Sequence, residues 1–249
     1  MEPLFSIITV CFNSEKTIKR TIESVLNQTF SNNFEYILVD GKSLDSTLEI
    51  IESYEQSFKE KGISYKWVSE PDKGIYDAMN KGVQLTNGEL IGILNSDDWY
   101  QKDALQNIKS KFDITKADFI HGNINTFSEE EVFLKTLNPG RKNQISRKMP
   151  FFHPTCFITK KVYTDLKEYS LKYRICSDYD FIIRLIKSNF SISYLDVVIT
   201  NFTIGGISTS QIKPALQESH LVRIDNGFNV FSSKFYYYIE TLICKIKYR

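Results

Sequence analysis

Hydrophobic and polar positions along the first hundred residues switch repeatedly between two periods. Leu4 to Phe12 is a nearly unbroken apolar run with β-branched residues, the pattern of a strand buried on both faces. Ile18, Ile22, Val25 and Leu26 then recur at helical spacing. Phe34 to Val39 predicts a second strand, closed by Asp40-Gly41. Asp45 to about Lys61 predicts a second helix, opened by a Ser-Leu-Asp-Ser cap region. Ser64 to Val68 is a third strand. Ile75, Ala78, Met79 and Val83 mark a third amphipathic helix, and Leu90 to Leu94 a fourth strand ending in Asn95-Ser96-Asp97-Asp98. Such a strand–helix series is solved by a mostly parallel, twisted sheet with right-handed crossovers and helices on both faces, an α/β fold.

The second half is less regular. Asp118 to Asn123 predicts a short strand and turn. Ile124 to Phe127 and Val132 to Leu137 predict a hairpin around Ser128 to Glu131. Asn138 to Met149 is polar, basic and holds Pro-Gly, so it reads as a mobile loop. Asp178 to Ser188 has helical spacing, and Tyr194 to Thr203 reads as strand, ended by Gly205-Gly206. No linker splits the chain, so the second half is expected to complete one sheet. At the C-terminus Phe235, Ile239, Leu242, Ile243 and Ile246 form a helical stripe with Lys234, Lys245, Lys247 and Arg249 among them. Two readings stand: a helix packed on the core or a partner, and an interfacial helix on an anionic membrane surface.

Composition narrows the classes. The 249 residues are 42% hydrophobic, enough for a full core. Lys plus Arg is 31 against Asp plus Glu 30, so no global field draws the protein to nucleic acid. No apolar run approaches the ~20 residues of a membrane span. Nothing at the N-terminus resembles a basic leader with a small-residue cleavage site, and a cytoplasmic protein is expected, with contact at the inner face of the membrane through the tail. Cys11, Cys156, Cys176 and Cys244 are scattered and form no Cys-x-x-Cys pair, which fits reduced, buried thiols rather than a zinc site or disulfide framework. Neither a Gly-x-x-x-x-Gly-Lys-Ser/Thr loop nor Gly-x-Gly-x-x-Gly is present, against a P-loop enzyme and a nicotinamide enzyme.

Polar residues gather where strands end: Asn13, Asp40, Asp72 and Asp97. In open α/β sheets the ligand crevice lies at those carboxyl ends. Asn95-Ser96-Asp97-Asp98 puts carboxylates there, and hard cations such as Mg²⁺ or Mn²⁺ take one or two carboxylates plus substrate phosphate oxygens. Asp40 can accept from a base N–H or a ribose hydroxyl. Glu70 to Gly82 is the densest polar segment, with a helix start near Gly74 and the mobile charge of Lys73 suited to phosphate. Asp178 and Asp180 cannot share one helix face. One caps while the other faces the crevice, where a carboxylate acts as general base toward a hydroxyl. His153 sits in the apolar, Pro-bounded stretch Pro150 to Pro154 and is read as a structural histidine, with a metal or phosphate contact as the alternative.

Taken in order, Ser6 to Asn13, Val39-Asp40-Gly41 with Ser43 and Asp45, Gly74 to Gly82, Leu94 to Asp98, His153, Asp178-Tyr179-Asp180 with Arg184-Leu185, and Gly205 to Ser208 resemble a family 2 glycosyltransferase of the GT-A fold. The set spans roughly residues 4 to 210, and Glu70 to Gly82 is most similar to the subgroup of colanic acid and related polysaccharide biosynthesis. The resemblance implies a Rossmann-like sheet in one domain over 1–215, with a nucleotide-sugar half (1–100), an acceptor half (101–215) and a helical tail (216–249). It implies an inverting transfer from a nucleotide-sugar, a UDP-sugar foremost, to a saccharide or lipid-linked saccharide, with Mg²⁺ or Mn²⁺. By position Asp178 matches the general base and Asp97 the metal-binding second Asp of Asp-x-Asp. Asp98 and His153 are added to the metal set. Asn13 and Asp40 match uridine contacts, while Val10, Glu15, Lys73, Asn80 and Ser96 complete the donor-binding positions.

Three features depart from the family pattern, one of them Ser177 where many members have Glu before the base. Asn95 replaces the first Asp of Asp-x-Asp, and an uncharged amide oxygen is a weaker ligand. The Gln-x-x-Arg-Trp motif of processive members is absent, since Trp67 and Trp99 are the only tryptophans and neither follows Arg. A single transfer per binding event is therefore expected. Two rivals remain: a sugar nucleotidyltransferase, which usually carries a Gly-rich loop where Cys11 to Glu15 stands, and a carbohydrate-binding module with a decayed site.

Overall fold

The computed structural model describes residues 2–30, 33–206 and 211–247. The Ile207-Ser208 end of the last motif and the side chains of Lys245, Ile246, Lys247 and Arg249 lie outside the described residues. Four parallel strands form the first half of one sheet: β1 (Phe5–Cys11), β2 (Phe34–Asp40), β3 (Ser64–Ser69) and β4 (Leu90–Asn95), in the order β3-β2-β1-β4. Every residue of β1 and β2 is buried, as the unbroken apolar runs require. Alternate residues of β1 feed two cores. Ile8 and Val10 face one, Phe5, Ile7 and Cys11 the other.

Helices α1 (Ile18–Leu26), α2 (Thr47–Ser53), α3 (Glu55–Glu60) and α5 (Ala104–Thr115) cover the second of these cores. Helices α4 (Ile75–Gln84), α6 (Lys160–Leu166) and α7 (Ser177–Lys187) cover the first. The helix expected over 45–61 is two short ones, because the Tyr54 amide closes back on Ile51 O and its hydroxyl turns to Glu23 Oε1. Gly82 lets α4 lie close on β1, since a Cβ there would come within 2.5 Å of Ile8 Cγ2.

The second half completes the same sheet, which is mixed. Strand β8 (Phe157–Thr159) joins β4 and β6 (Phe119–Phe127) antiparallel, and β9 (Ile192–Thr203) runs parallel to β6. The two-residue strand β5 (Trp99–Tyr100) pairs with β9, and β7 (Phe133–Leu137) forms the expected hairpin with β6. β6 is continuous where a short strand and turn were expected before the hairpin. The 138–149 segment holds a 3₁₀ turn, Lys142–Ser146. It is tied down because Ile145 is buried and its carbonyl accepts from Tyr179 Oη.

The chain ends in a hairpin of helices, α8 (Ile212–Asp225) and α9 (Val230–Lys247). Helix α9 packs in an inverted sense. Its inward side carries Ser233, which accepts from the fully buried Arg223 Nε at 3.0 Å, and Glu240, 3.9 Å from the same guanidinium. Described apolar residues face out: Phe235 and Leu242 of the stripe are 60% and 59% exposed, and Phe231, before it, 85%. Of the described stripe residues, Phe235, Leu242 and Ile243 therefore do not pack on the core, and Ile239 is half-buried. Among the described residues no helix is long and apolar enough to cross a membrane.

Candidate active site

The carboxyl ends of β1, β2 and β4 bring together most of the residues expected to hold a donor. Asn13 follows β1 with φ 51°, a left-handed conformation that Asn tolerates. Its Oδ1 accepts from Leu44 N at 2.8 Å and its own N–H donates to Ser43 Oγ at 2.8 Å. Glu15 closes the same loop pair, accepting from Ser46 N at 3.0 Å. Ser14 Oγ and Ser96 Oγ lie 2.9 Å apart, joining the ends of β1 and β4. Asp40 is buried and already engaged, accepting from Ser43 N and from Ser69 Oγ at 2.6 Å. The Asp72 carboxylate lies over Gly41, so the two strand-end loops meet there.

Asp97 is held by its backbone. Its carbonyl accepts from Arg20 Nη2 at 2.9 Å and Thr203 Oγ1 at 2.6 Å, while its carboxylate lies near Gly206. Burial pushes the Asp97 carboxyl above the usual range, and the Arg20 guanidinium offsets this in part. Arg20 is itself fixed over the Trp99 ring at 3.8 Å and paired with Glu131. Nothing in the hydrophobic period of α1 marks Arg20 as part of the site. Asp98 points the other way. It is fully buried, accepts from Thr203 N at 3.1 Å, and burial together with the Asp97 charge pushes it well up. The Asn95 amide oxygen is buried with no hydrogen-bond partner among the described residues.

A second cluster surrounds Asp178 in the first turn of α7. Asp178 Oδ1 accepts from Tyr179 N at 2.8 Å and lies 3.0 Å from Tyr76 Oη. Tyr76, on α4, also donates to Ile175 O at 2.6 Å. The phenol is buried, and burial with the Asp178 charge holds its pKa well above the ordinary value, so it keeps its proton. His153 Nε2 is 3.1 Å from Tyr169 Oη. Burial pushes the imidazole down, against a smaller pull from Asp178, so it is neutral at pH 7.

Three expected positions engage other groups in this structure or reach solvent. Val10 buries its side chain in the core. Asn80 clamps a backbone, donating to Tyr169 O at 2.9 Å and accepting from Tyr169 N at 2.8 Å. Lys73 extends an exposed side chain while its amide donates to Asp77 Oδ2. Among the described residues no group of three or more His, Cys, Asp or Glu side chains converges to hold a metal ion, so Asp97, Asp98 and His153 do not form one cluster.

Comparison with known proteins identifies this framework. The model of glycosyl transferase family 2 matches residues 6–166. A PGL/p-HBAD biosynthesis glycosyltransferase of Mycobacterium bovis is 29% identical over 217 residues, covering 84% of this chain and 80% of its own. An uncharacterized glycosyltransferase of Methanocaldococcus jannaschii is 28% identical over 211 residues, covering 82% and 71%. Among solved structures, S. aureus TarS 1–349 in complex with UDP-GlcNAc superposes with a TM-score of 0.70 at 19% identity, over 95% of this chain and 70% of that one. The mannosyltransferase PcManGT from Pyrobaculum calidifontis, in complex with GDP-Man and Mn²⁺, superposes with a TM-score of 0.71 at 14% identity and the same coverage. These two likenesses speak for the GT-A fold alone. The family match extends over most of the sheet described above, and the chain belongs to the family 2 glycosyltransferases.

Proposed function

We propose that this glycosyltransferase is inverting and non-processive, and that it moves a sugar from a UDP-sugar to a saccharide or lipid-linked saccharide in surface polysaccharide biosynthesis. The observation that carries the reading is a pair of carboxylates with opposite circumstances. Asp97 stands at the end of β4 with its charge poorly compensated, and Asp178 stands half-exposed, tied through Tyr76 to the donor-half helix α4. Asp178 takes the proton of an acceptor hydroxyl that attacks the sugar from the face opposite the leaving diphosphate. Holding donor and acceptor in line removes much of the entropic cost of encounter.

The residues fit a divalent cation. A buried carboxylate offset only in part by Arg20 suits Mg²⁺ or Mn²⁺ held chiefly by Asp97 and completed by donor phosphate oxygens, while the Asn95 amide turns its N–H to Asp98. Asp98, committed to Thr203, and His153, facing Tyr169, act in this reading as supports. When bound, such an ion supplies positive charge against the leaving diphosphate. The assay is release of nucleoside diphosphate from a panel of UDP- and GDP-sugars with Mn²⁺. UDP release from one sugar is expected, and selective release of GDP would overturn the UDP assignment.

The outward stripe of α9 supports contact with an anionic membrane. Phe231, Phe235, Tyr238 and Leu242 face solvent, Lys234 is exposed on the same helix, and the acidic Glu240 points inward. Co-sedimentation with phosphatidylglycerol vesicles is expected, with little binding to phosphatidylcholine and loss on Phe231→Ser with Phe235→Ser. Equal pelleting of that double variant would contradict the assignment.

A further inference from the structure

The C-terminal hairpin reaches back to the proposed base. Helix α7 begins at Ser177 with no side-chain cap of its own at Cys176. A helix start leaves backbone N–H groups without intrahelical partners. The segment entering it is held instead by Glu218 of α8. Glu218 Oε1 accepts from Arg174 N at 3.0 Å, and Oε2 accepts from Ile175 N at 2.7 Å and Cys176 N at 3.0 Å. Three donors on one carboxylate make a strong, directional clamp.

The Ile175 peptide is gripped from both sides. The peptide that joins Ile175 to Cys176 donates its N–H, on Cys176, to Glu218, and its carbonyl, on Ile175, accepts from Tyr76 Oη, which lies 3.0 Å from Asp178 Oδ1. The Tyr76 hydroxyl has one proton and two acceptors within reach. The position of the Ile175 carbonyl therefore sets how the hydroxyl meets Asp178. Helix α8 is fixed in turn by Lys172 and Tyr173, which both donate to Asp225 Oδ2.

We propose that Glu218 is a positioning residue for sugar transfer: by clamping the Ile175 peptide it holds the Tyr76 hydroxyl and the Asp178 carboxylate in working register. The proposal rests on the reading of Asp178 as the base. Glu218 touches neither donor nor acceptor in this account, so its effect falls on turnover and not on nucleotide binding.

The test compares Glu218→Ala, Glu218→Gln, Tyr76→Phe, the Glu218→Ala/Tyr76→Phe double variant and Asp178→Asn, each with kcat, donor KM, nucleotide binding and melting temperature. Misplacement of a catalytic group by about 1 Å costs on the order of 10²-fold, so Glu218→Ala is expected to lower kcat by roughly 10- to 100-fold. Donor KM and nucleotide affinity stay within about twofold. Glu218→Gln keeps the shape and an accepting oxygen, so it loses less. The double variant loses no more than its worse parent, because both residues act through one peptide. Folded Glu218→Ala or Glu218→Gln with wild-type kcat overturns the proposal, as does a parallel loss of nucleotide binding or full additivity with Tyr76→Phe. Should Glu218→Ala not fold, the isosteric Glu218→Gln decides by the same split between kcat and KM. Active Asp178→Asn overturns the base itself. Inactive Asp178→Asn beside normal Glu218 variants overturns only the positioning role.

Discussion

Asp178→Asn lowers the rate of sugar transfer by roughly 10²- to 10⁴-fold, the range that a positioned general base contributes, while nucleotide binding stays within about twofold of the parent. The substitution keeps the shape of the side chain. An amide oxygen can still accept from Tyr179 N and face Tyr76 Oη, so the first turn of α7 retains its geometry. What disappears is the ability to take a proton. The neutral His153 does not replace it, because its Nε2 is engaged with Tyr169. Steady-state transfer and calorimetric nucleotide titration on the same sample check both halves. Retained transfer, or loss of nucleotide affinity in step with rate, would remove Asp178 from the role of base.

Asp97→Ala is expected to cost on the order of 10²-fold or more in transfer. The reason is that charge stabilisation by a bound divalent ion is worth several kcal/mol and each ~1.4 kcal/mol is tenfold. The scaffold survives, since Arg20 and Thr203 hold the backbone carbonyl of Asp97 and not its carboxylate. Stability moves in a direction opposite to activity. Burial raises the Asp97 carboxyl, and a carboxylate whose pKa rises on folding costs stability once pH climbs through its folded value. At neutral pH and without metal, Asp97→Ala therefore melts no lower than the parent. Added Mn²⁺ raises the melting temperature of the parent and leaves that of Asp97→Ala unchanged. Equal stabilisation of both by Mn²⁺ would place the ion elsewhere.

How much of this was legible in sequence follows from the distance over which each signal acts. Strands β1, β2 and β4 announce themselves because each buries both faces, while the edge strand β3 is at most half-buried, and the crevice follows from the polar residues at the strand ends. Strands β5 and β8 have two and three residues, too few to establish a period. The place of Asn80 in its motif points to a donor-pocket support, yet its side chain clamps Tyr169, 89 positions away. Tyr76 and Asp178 are 102 positions apart, Arg20 and Asp97 77, and Glu218 and Ile175 43. Hydrogen bonds of that span leave no local pattern, and only the fold brings them together. The tail stripe was plain from its spacing, but its outward direction depends on the buried Arg223, whose partners Ser233 and Glu240 occupy the other side of α9.

We propose that the strand-end crevice holds a nucleotide-sugar through a metal at Asp97. Calorimetric titration of UDP with and without Mn²⁺, against GDP, dTDP and ADP, tests it most directly. UDP-selective binding that strengthens with Mn²⁺ is expected. Folded protein that binds none of the four nucleotides under either condition would contradict it and favour a decayed binding module.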